Sequence, residues 1–256
     1  MALNKTPKEE IKQVIITSLR NKFHNYKPES DYKPFHFRLL GRDRLALYSF
    51  IHSLNTAFGS SIFEPVAVAL AKNRFSRVQA QYSVGSSIYE ECQHSIQKII
   101  NQLSLGKNPD KKTEIDLIRN SLKGNTVPLR TIKVDLFLEN ERGEQFLFDL
   151  KTVKPNISNF KDFKRTLLEW IGITLSQDCK TQVNSLIAMP YNPYEPQPYQ
   201  RWTMKGMLDL DHELKVAAEF WDFIGGDGAY DDLLGCFEIA GMEIRDEIDE
   251  YFKKFI

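Results

Sequence analysis

In QFLFDLKT (145–152) an aspartate and a lysine stand two residues apart inside an otherwise apolar, strand-like run. Strand side chains alternate between faces, so Leu147, Asp149 and Lys151 point one way and Phe146, Phe148 and Leu150 the other. Burying a charge without a partner or a metal costs on the order of several kcal/mol. The pair is therefore either a structural ion pair or a site. An acid followed two residues later by lysine is a weak signal by itself, occurring seven times here, at Glu10, Asp31, Asp110, Asp149, Asp162, Asp178 and Glu213. Of these, Asp149 is the one set in an apolar strand.

That strand is preceded, across the turn ENERGE, by a second, TIKVDLFL (131–138), whose lone acid Asp135 is flanked by Val134 and Leu136. Fourteen residues separate Asp135 from Asp149, a distance that a tight hairpin folds back so that the two carboxylates meet on one face of a sheet. Carboxylates a few Å apart repel unless a cation lies between them, and hard oxygen ligands suit Mg²⁺, which keeps several waters of its own. The Lys151 ammonium beside such a metal can orient or help deprotonate a water, and it offsets charge growing on a phosphorane-like transition state. Hydrolysis of a phosphodiester needs this set; a lysine salt-bridged between two strand acids is the competing reading.

A third carboxylate can come from a helix packed under the sheet. Glu64, in SSIFEPVAVALA, is the odd residue of a helix that is apolar nearly all round, so it wants a partner. Glu90 and Glu91 lie in a helix with an ordinary polar face, which leaves Glu64 the favoured helix acid. A first-turn acid facing the helix dipole is the plainer explanation of Glu64.

The elements that must position these residues are legible in outline. Apolar spacing predicts helices over 7–23, 42–57, 61–73 (after a break at Gly59), 86–103 and 115–122, with loops at 25–37, 106–110 and 123–128. The texture then changes to the two strands, a helix over 159–175 and a third strand over 183–189, an order that implies a crossover onto the same sheet. PYNPYEPQPYQRW (190–202) is too rich in proline for regular structure, and two acidic helices close the chain. The expected fold class is α/β (α+β mixed). We expect one domain over 1–256, mainly helical in 1–125, with the catalytic hairpin and crossover in 126–190 and a loop with acidic helices in 191–256.

Bulk properties exclude several classes. No run approaches the ~18 apolar residues of a membrane span, and the N-terminal stretch has no signal-peptide pattern. Cys92, Cys179 and Cys236 are isolated, which speaks against zinc and against a disulfide scaffold; a reducing cytoplasm fits. The five histidines form no catalytic set, and neither a GxSxG serine nor a phosphate-cradling glycine motif is present. The 34 basic and 34 acidic residues cancel, but unevenly: 207–256 hold 4 basic and 14 acidic, a net of −10, so the preceding 206 residues carry +10. That asymmetry permits a basic surface with the acidic tail turned elsewhere, or the tail is simply a solvated face.

Nucleic acid contacts would come from the basic cluster after the hairpin, Lys151, Lys154, Lys161, Lys164 and Arg165, with Asn156 and Ser158 as neutral donors. The Pro/Tyr loop adds Gln197, Gln200, Arg201 and Lys205, groups able to read base edges unless the loop merely packs on the surface.

Asp135 followed by Asp149-Leu150-Lys151 resembles the PD-(D/E)xK nuclease signature, with Val134 where the signature has proline. LLGRDRLALYSFIHSLNTAFGSSIFEPVA, DLKTVKPNISNFKDFKRTLLEW and EFWDFIGG are similar to type II restriction endonucleases of the TdeIII-like group, over about 35–234. The resemblance implies a central mixed β-sheet flanked by helices, a Mg²⁺ cofactor, and double-stranded DNA cut at a short palindrome of the GGNCC type to leave 5′-phosphate and 3′-hydroxyl ends. A palindrome implies a two-fold homodimer. Carried over by residue, Asp135, Asp149 and the Leu150 carbonyl would hold the metal, Lys151 would position the attacking water, and Glu64 would be the helix acid. A repair or junction nuclease of the same fold would instead cut by DNA structure, and a non-catalytic DNA-binding protein would keep the hairpin as a structural ion pair.

Overall fold

The computed structural model describes residues 5–26, 33–130, 133–151, 159–200 and 204–253. In chain order the elements begin with α1 (Lys5–Asn25), α2 (Pro34–Leu40) and α3 (Arg42–Ala57), then a π-helical turn (Phe58–Phe63) and α4 (Glu64–Ala71). β1 (Arg77–Tyr82), β2 (Ser87–Tyr89), α5 (Glu90–Ser104), α6 (Lys111–Asn120) and β3 (Thr126–Pro128) follow. The centre is β4 (Val134–Glu139), β5 (Gln145–Leu150), α7 (Phe160–Gln177) and β6 (Val183–Met189), and the chain continues through β7 (Leu214–Val216), α8 (Ala218–Gly225), α9 (Ala229–Glu243) and α10 (Arg245–Phe252).

A five-stranded mixed sheet, in the order β1-β4-β5-β6-β7, is flanked by helices, as the sequence implied. The β4–β5 hairpin is antiparallel with Leu136 opposite Phe148, and β5–β6 and β6–β7 are parallel. Its turn closes because Gly143 adopts φ 76 and the Asn140 side chain accepts the N–H groups of Arg142 and Glu144. Central β4, β5 and β6 are apolar on both faces because each face carries a core. Phe137, Leu147 and Ile187 pack with α5 and α7; Leu136, Phe148 and Leu186 pack with α1, α4, α8 and α9. α7 approaches so closely that a Cβ on Gly172 would lie 2.7 Å from Ile88 and 2.9 Å from Cys92.

Several expected boundaries are corrected. Pro34 starts α2 inside the expected 25–37 loop, its fixed φ suiting a first turn. Gly59 does not break the chain: α3 runs through the wide turn into α4. β2 takes the start of the expected 86–103 helix and β3 the end of the expected 123–128 loop, and β1 and β7 carry no strand signal, because each of the four is short or half-polar. Three acidic helices, α8 to α10, follow β7 where two were expected. The acidic tail is not turned away from the basic part of the chain. Asp232 pairs with Lys8 at 2.6 Å, Glu243 with Lys12 at 2.8 Å and Glu247 with Arg20 at 2.6 Å, so the tail neutralises α1. All three cysteines are free, and no helix among the described residues is long and apolar enough to cross a membrane.

Candidate active site

The hairpin register decides where the acids lie. Leu136 pairs with Phe148, so the next step of the ladder sets Asp135 against Asp149. Asp135 turns one oxygen back onto the strand, where Oδ2 accepts the Leu150 N–H at 2.8 Å. Asp149 is 6% exposed, and its Oδ1 lies 2.6 Å from Lys151 Nζ. Lys151 itself is part-exposed, with its ammonium 4.9 Å from the Phe163 ring centroid and its backbone N–H bonded to the Ala188 carbonyl. Its strand pairing to β6 thus fixes the stem while the charged end reaches the rim of a cleft.

Glu64 reaches the same place from the other side of the sheet. The π-helical turn delivers it at the first position of α4, a helix buried at six of its eight residues. Its Oε2 accepts a 2.8 Å hydrogen bond from the Gln81 amide, which is also 3.4 Å from Asp135 Oδ1. Glu90 and Glu91 are exposed at the start of α5 and do not join this group. Glu64, Asp135, Leu150 and Lys151 together line a cleft of about 910 Å³. Its walls include His52 and Asn55 from α3, Tyr191 after β6, Trp221 from α8 and Leu233 and Phe237 from α9. The Trp221 indole is pinned by a 2.7 Å bond to the Pro190 carbonyl.

Among the described residues the site is rich in acids. Burial pushes the Asp149 carboxyl up to about 6, Lys151 opposes that rise, and the neighbouring Asp135 adds to it. Glu64 is likewise raised, by burial first, with the Gln81 hydrogen bond lowering it and Asp135 raising it. Three carboxylates among the described residues stand close to one lysine, Lys151. Among the described residues no three His, Cys, Asp or Glu side chains are grouped so that together they could hold a metal ion. An open site built on two strand carboxylates is nevertheless what a small hard cation uses when waters complete its shell. The donor set therefore fits a divalent metal.

The remaining expected contacts are scattered. Lys154, Asn156, Ser158 and Arg201 lie outside the described residues. Lys161, Gln200 and Lys205 are exposed, Arg165 donates to Gln97 at 2.7 Å, and none of these four lines the cleft. Lys164 is corrected outright. It is 0% exposed and lies between Glu114 at 2.5 Å and Glu213 at 2.6 Å, so its ammonium is held in the core and cannot touch a phosphate. Sequence spacing missed Gln81, His52, Asn55 and Trp221. The chain around Gln81, RVQAQY, offers only a weak polar alternation, and the cleft walls come together from distant segments that no local pattern links.

Residues 3–241 match the family model described as type II restriction endonuclease, HinfI. The chain belongs to the HinfI family. Members of the HinfI family are type II restriction endonucleases, so this protein is a DNA-binding, site-specific deoxyribonuclease. It is similar to the type II restriction enzyme HgiEI of Herpetosiphon aurantiacus, 22% identical with 98% of each chain covered. HgiCII of the same organism is 24% identical, over 92% of this chain and 90% of that enzyme. MjaII of Methanocaldococcus jannaschii is 25% identical, over 89% of this chain and 68% of that enzyme. The resemblance read from the residues thus holds at the level of type II restriction endonucleases, and HinfI-family membership covers both the hairpin and the cleft walls.

Proposed function

We propose that this HinfI-family protein is a Mg²⁺-dependent endonuclease whose centre is Asp135, Asp149 and Lys151, with Glu64 as the helix acid. The observation that carries the reading is the convergence of a strand acid, a lysine and a helix acid, Asp135, Lys151 and Glu64, at a single cleft, with the second strand acid, Asp149, paired to that lysine. Asp135, Asp149 and the Leu150 carbonyl would hold the metal, and Mg²⁺ bound there supplies Lewis-acid stabilisation of charge on the scissile phosphate. Lys151, ordered by Asp149, donates to the attacking water and faces the growing negative charge. The water oxygen bonds to phosphorus, the bond to O3′ breaks, and a proton passes to O3′, leaving 5′-phosphate and 3′-hydroxyl ends.

The proposed substrate is double-stranded DNA at a short palindrome, the GGNCC type implied by the sequence resemblance, and the whole of 1–256 acts as one catalytic domain in the cytoplasm. Lys161 and Lys205, exposed beyond the cleft, suit phosphate contacts. A palindrome calls for a two-fold homodimer. Two faces suit it: α2 and α3 expose Phe35, Leu39 and Tyr48 beside Arg38 and Arg44, and α9 exposes Leu234, Ile239 and Met242 beside Asp231 and Glu238. Apolar faces of opposite charge can exchange between two copies.

The test is incubation with unmethylated phage DNA, with Mg²⁺ or with EDTA, beside Asp149→Ala and Lys151→Ala. Discrete Mg²⁺-dependent fragments, lost in both variants, are expected, and sequencing their ends gives the site. Cutting without a fixed sequence would point to a structure-directed nuclease, and intact DNA from a folded wild type would end the catalytic reading of the hairpin.

A further inference from the structure

Gln81 holds a backbone conformation that its sequence gives no reason for. It is one of two non-glycine residues among those described with positive φ, at 52°. Pairing is regular on both sides of it, Ala80 with Leu136 and Tyr82 with Val134, so the left-handed residue is not the by-product of an inserted one. Any residue with a Cβ resists that region, and it persists only where the surroundings over-determine it. What surrounds Gln81 is the acid cluster: its place in the ladder is opposite Asp135, and its amide meets Glu64 Oε2 at 2.8 Å and Asp135 Oδ1 at 3.4 Å.

A side-chain amide carries two N–H donors and no charge. It can therefore offer one hydrogen to each of two carboxylates that repel one another, without neutralising either. Lysine or arginine in its place would take over the part of the cation. Glu64 sits on α4, packed against one face of the sheet, whereas Asp135 is a strand residue, so the amide joins acids from two separately packed elements.

We propose that Gln81 is a positioning residue of the metal site, tying the helix acid to the strand acid so that both are in place before the cation arrives. The inference rests on the metal-dependent reading above. It predicts that the strained backbone and the two hydrogen bonds are separable: the first is a cost to the fold, and the second serves the site.

Gln81→Gly separates them, because glycine adopts the left-handed turn freely and removes the amide. Binding of Mn²⁺ to the DNA-free protein, followed by the loss of the free ion's paramagnetic resonance signal, is compared for wild type, Gln81→Gly and Asp149→Ala. Gln81→Gly is expected to melt at or above the wild-type temperature yet bind Mn²⁺ ~10–100-fold more weakly, the usual loss when a residue orienting a ligand is removed. Its cleavage should fail at low Mg²⁺ and recover at high Mg²⁺. Should Gln81→Gly not fold, Gln81→Asn tolerates the turn but is too short to span both acids, and the same weakening is expected. Wild-type affinity in a folded Gln81 variant, with Asp149→Ala losing Mn²⁺, overturns this inference alone. A wild-type protein that binds no Mn²⁺ overturns the metal reading and this inference together.

Discussion

Two lysine–carboxylate clusters stand in one molecule and are built for opposite ends. Lys151 lines a cleft with Asp135 and Glu64 and is part-exposed, the buried Asp149 pairs with it, and the described lining residues hold no second lysine or arginine. Lys164, Glu114 and Glu213 lie in the core, the lysine wholly buried, with Lys111 beside them and its ammonium on the Ser185 carbonyl. In the core cluster two lysines meet Glu114 and Glu213, with Asp209 beside Lys111, and hydrogen bonds from Lys164 at 2.6 and 2.8 Å and from the Asp209 N–H at 2.8 Å satisfy Glu213. Among the described residues the cleft cluster sets three carboxylates, Glu64, Asp135 and Asp149, against one lysine. The buried cluster reads as structural, and the proposed metal reading assigns the acids of the cleft to a cation.

The sharpest way to break this comparison is to remove each lysine. Lys151→Ala should cut cleavage by ~10³-fold, as loss of a group that stabilises transition-state charge does, while the melting temperature falls less than in Lys164→Ala, because Asp149 can take up a proton once its partner is gone. Lys164→Ala should do the reverse. Leaving Glu114 and Glu213 buried without their partner costs ~3–5 kcal/mol, read as a lower urea midpoint, and the molecules that remain folded should cleave at the wild-type rate. Loss of cleavage in a stable Lys164→Ala protein would show that the buried cluster serves the chemistry after all.

Titration sharpens it further, with opposite signs at the two places. Asp149 is raised to about 6 from 3.8, so between those values the native state holds a proton that the unfolded state has lost, and its contribution to stability declines as pH rises. In EDTA, Asp149→Asn should therefore melt above wild type at pH 7, with the gap closing below pH 4. Lys111 is lowered to about 8 from 10.5 by burial, so between those values the unfolded state holds the extra proton and stability grows as pH rises. Lys111→Met should flatten that alkaline rise in a series of thermal melts. The smallest effect is at the surface: Arg20→Gln, which breaks the exposed pair with Glu247, should leave the melting temperature indistinguishable from wild type at physiological salt.

The hairpin was legible because a strand buried on both faces admits almost nothing but apolar residues, so Asp135, Asp149 and Lys151 stand out from their neighbours. Glu64 stood out for the same reason in α4. Lys164 misled because it falls in a run of basic residues whose spacing gives no sign that one of them turns inward. The strings GSSIFE (59–64) and GSSIYE (85–90) mark the limit of local reading, since they differ at one position. The first forms the π-helical turn that buries Glu64, with Phe63 against Trp221; the second forms β2, paired to Thr126–Pro128, and leaves Glu90 in solvent. What each string packs against, far away in sequence, decides between a wide helical turn and a strand.

The pairing of α1 with α9 and α10 has a consequence in time as well as in space. Trp221, Leu233 and Phe237 are translated well after Lys151, and the acids that hold α1 come with them or later. A chain still on the ribosome with its hairpin just made thus holds Glu64, Asp135 and Asp149 but lacks one wall of the cleft, and its first helix can pack on α4 and the sheet but not yet on the acids of α9 and α10 that pair with its basic residues. The cleft is therefore complete only once residues 221–237 have emerged, and α8 and α9, among the last helices to be made, are the ones that close it.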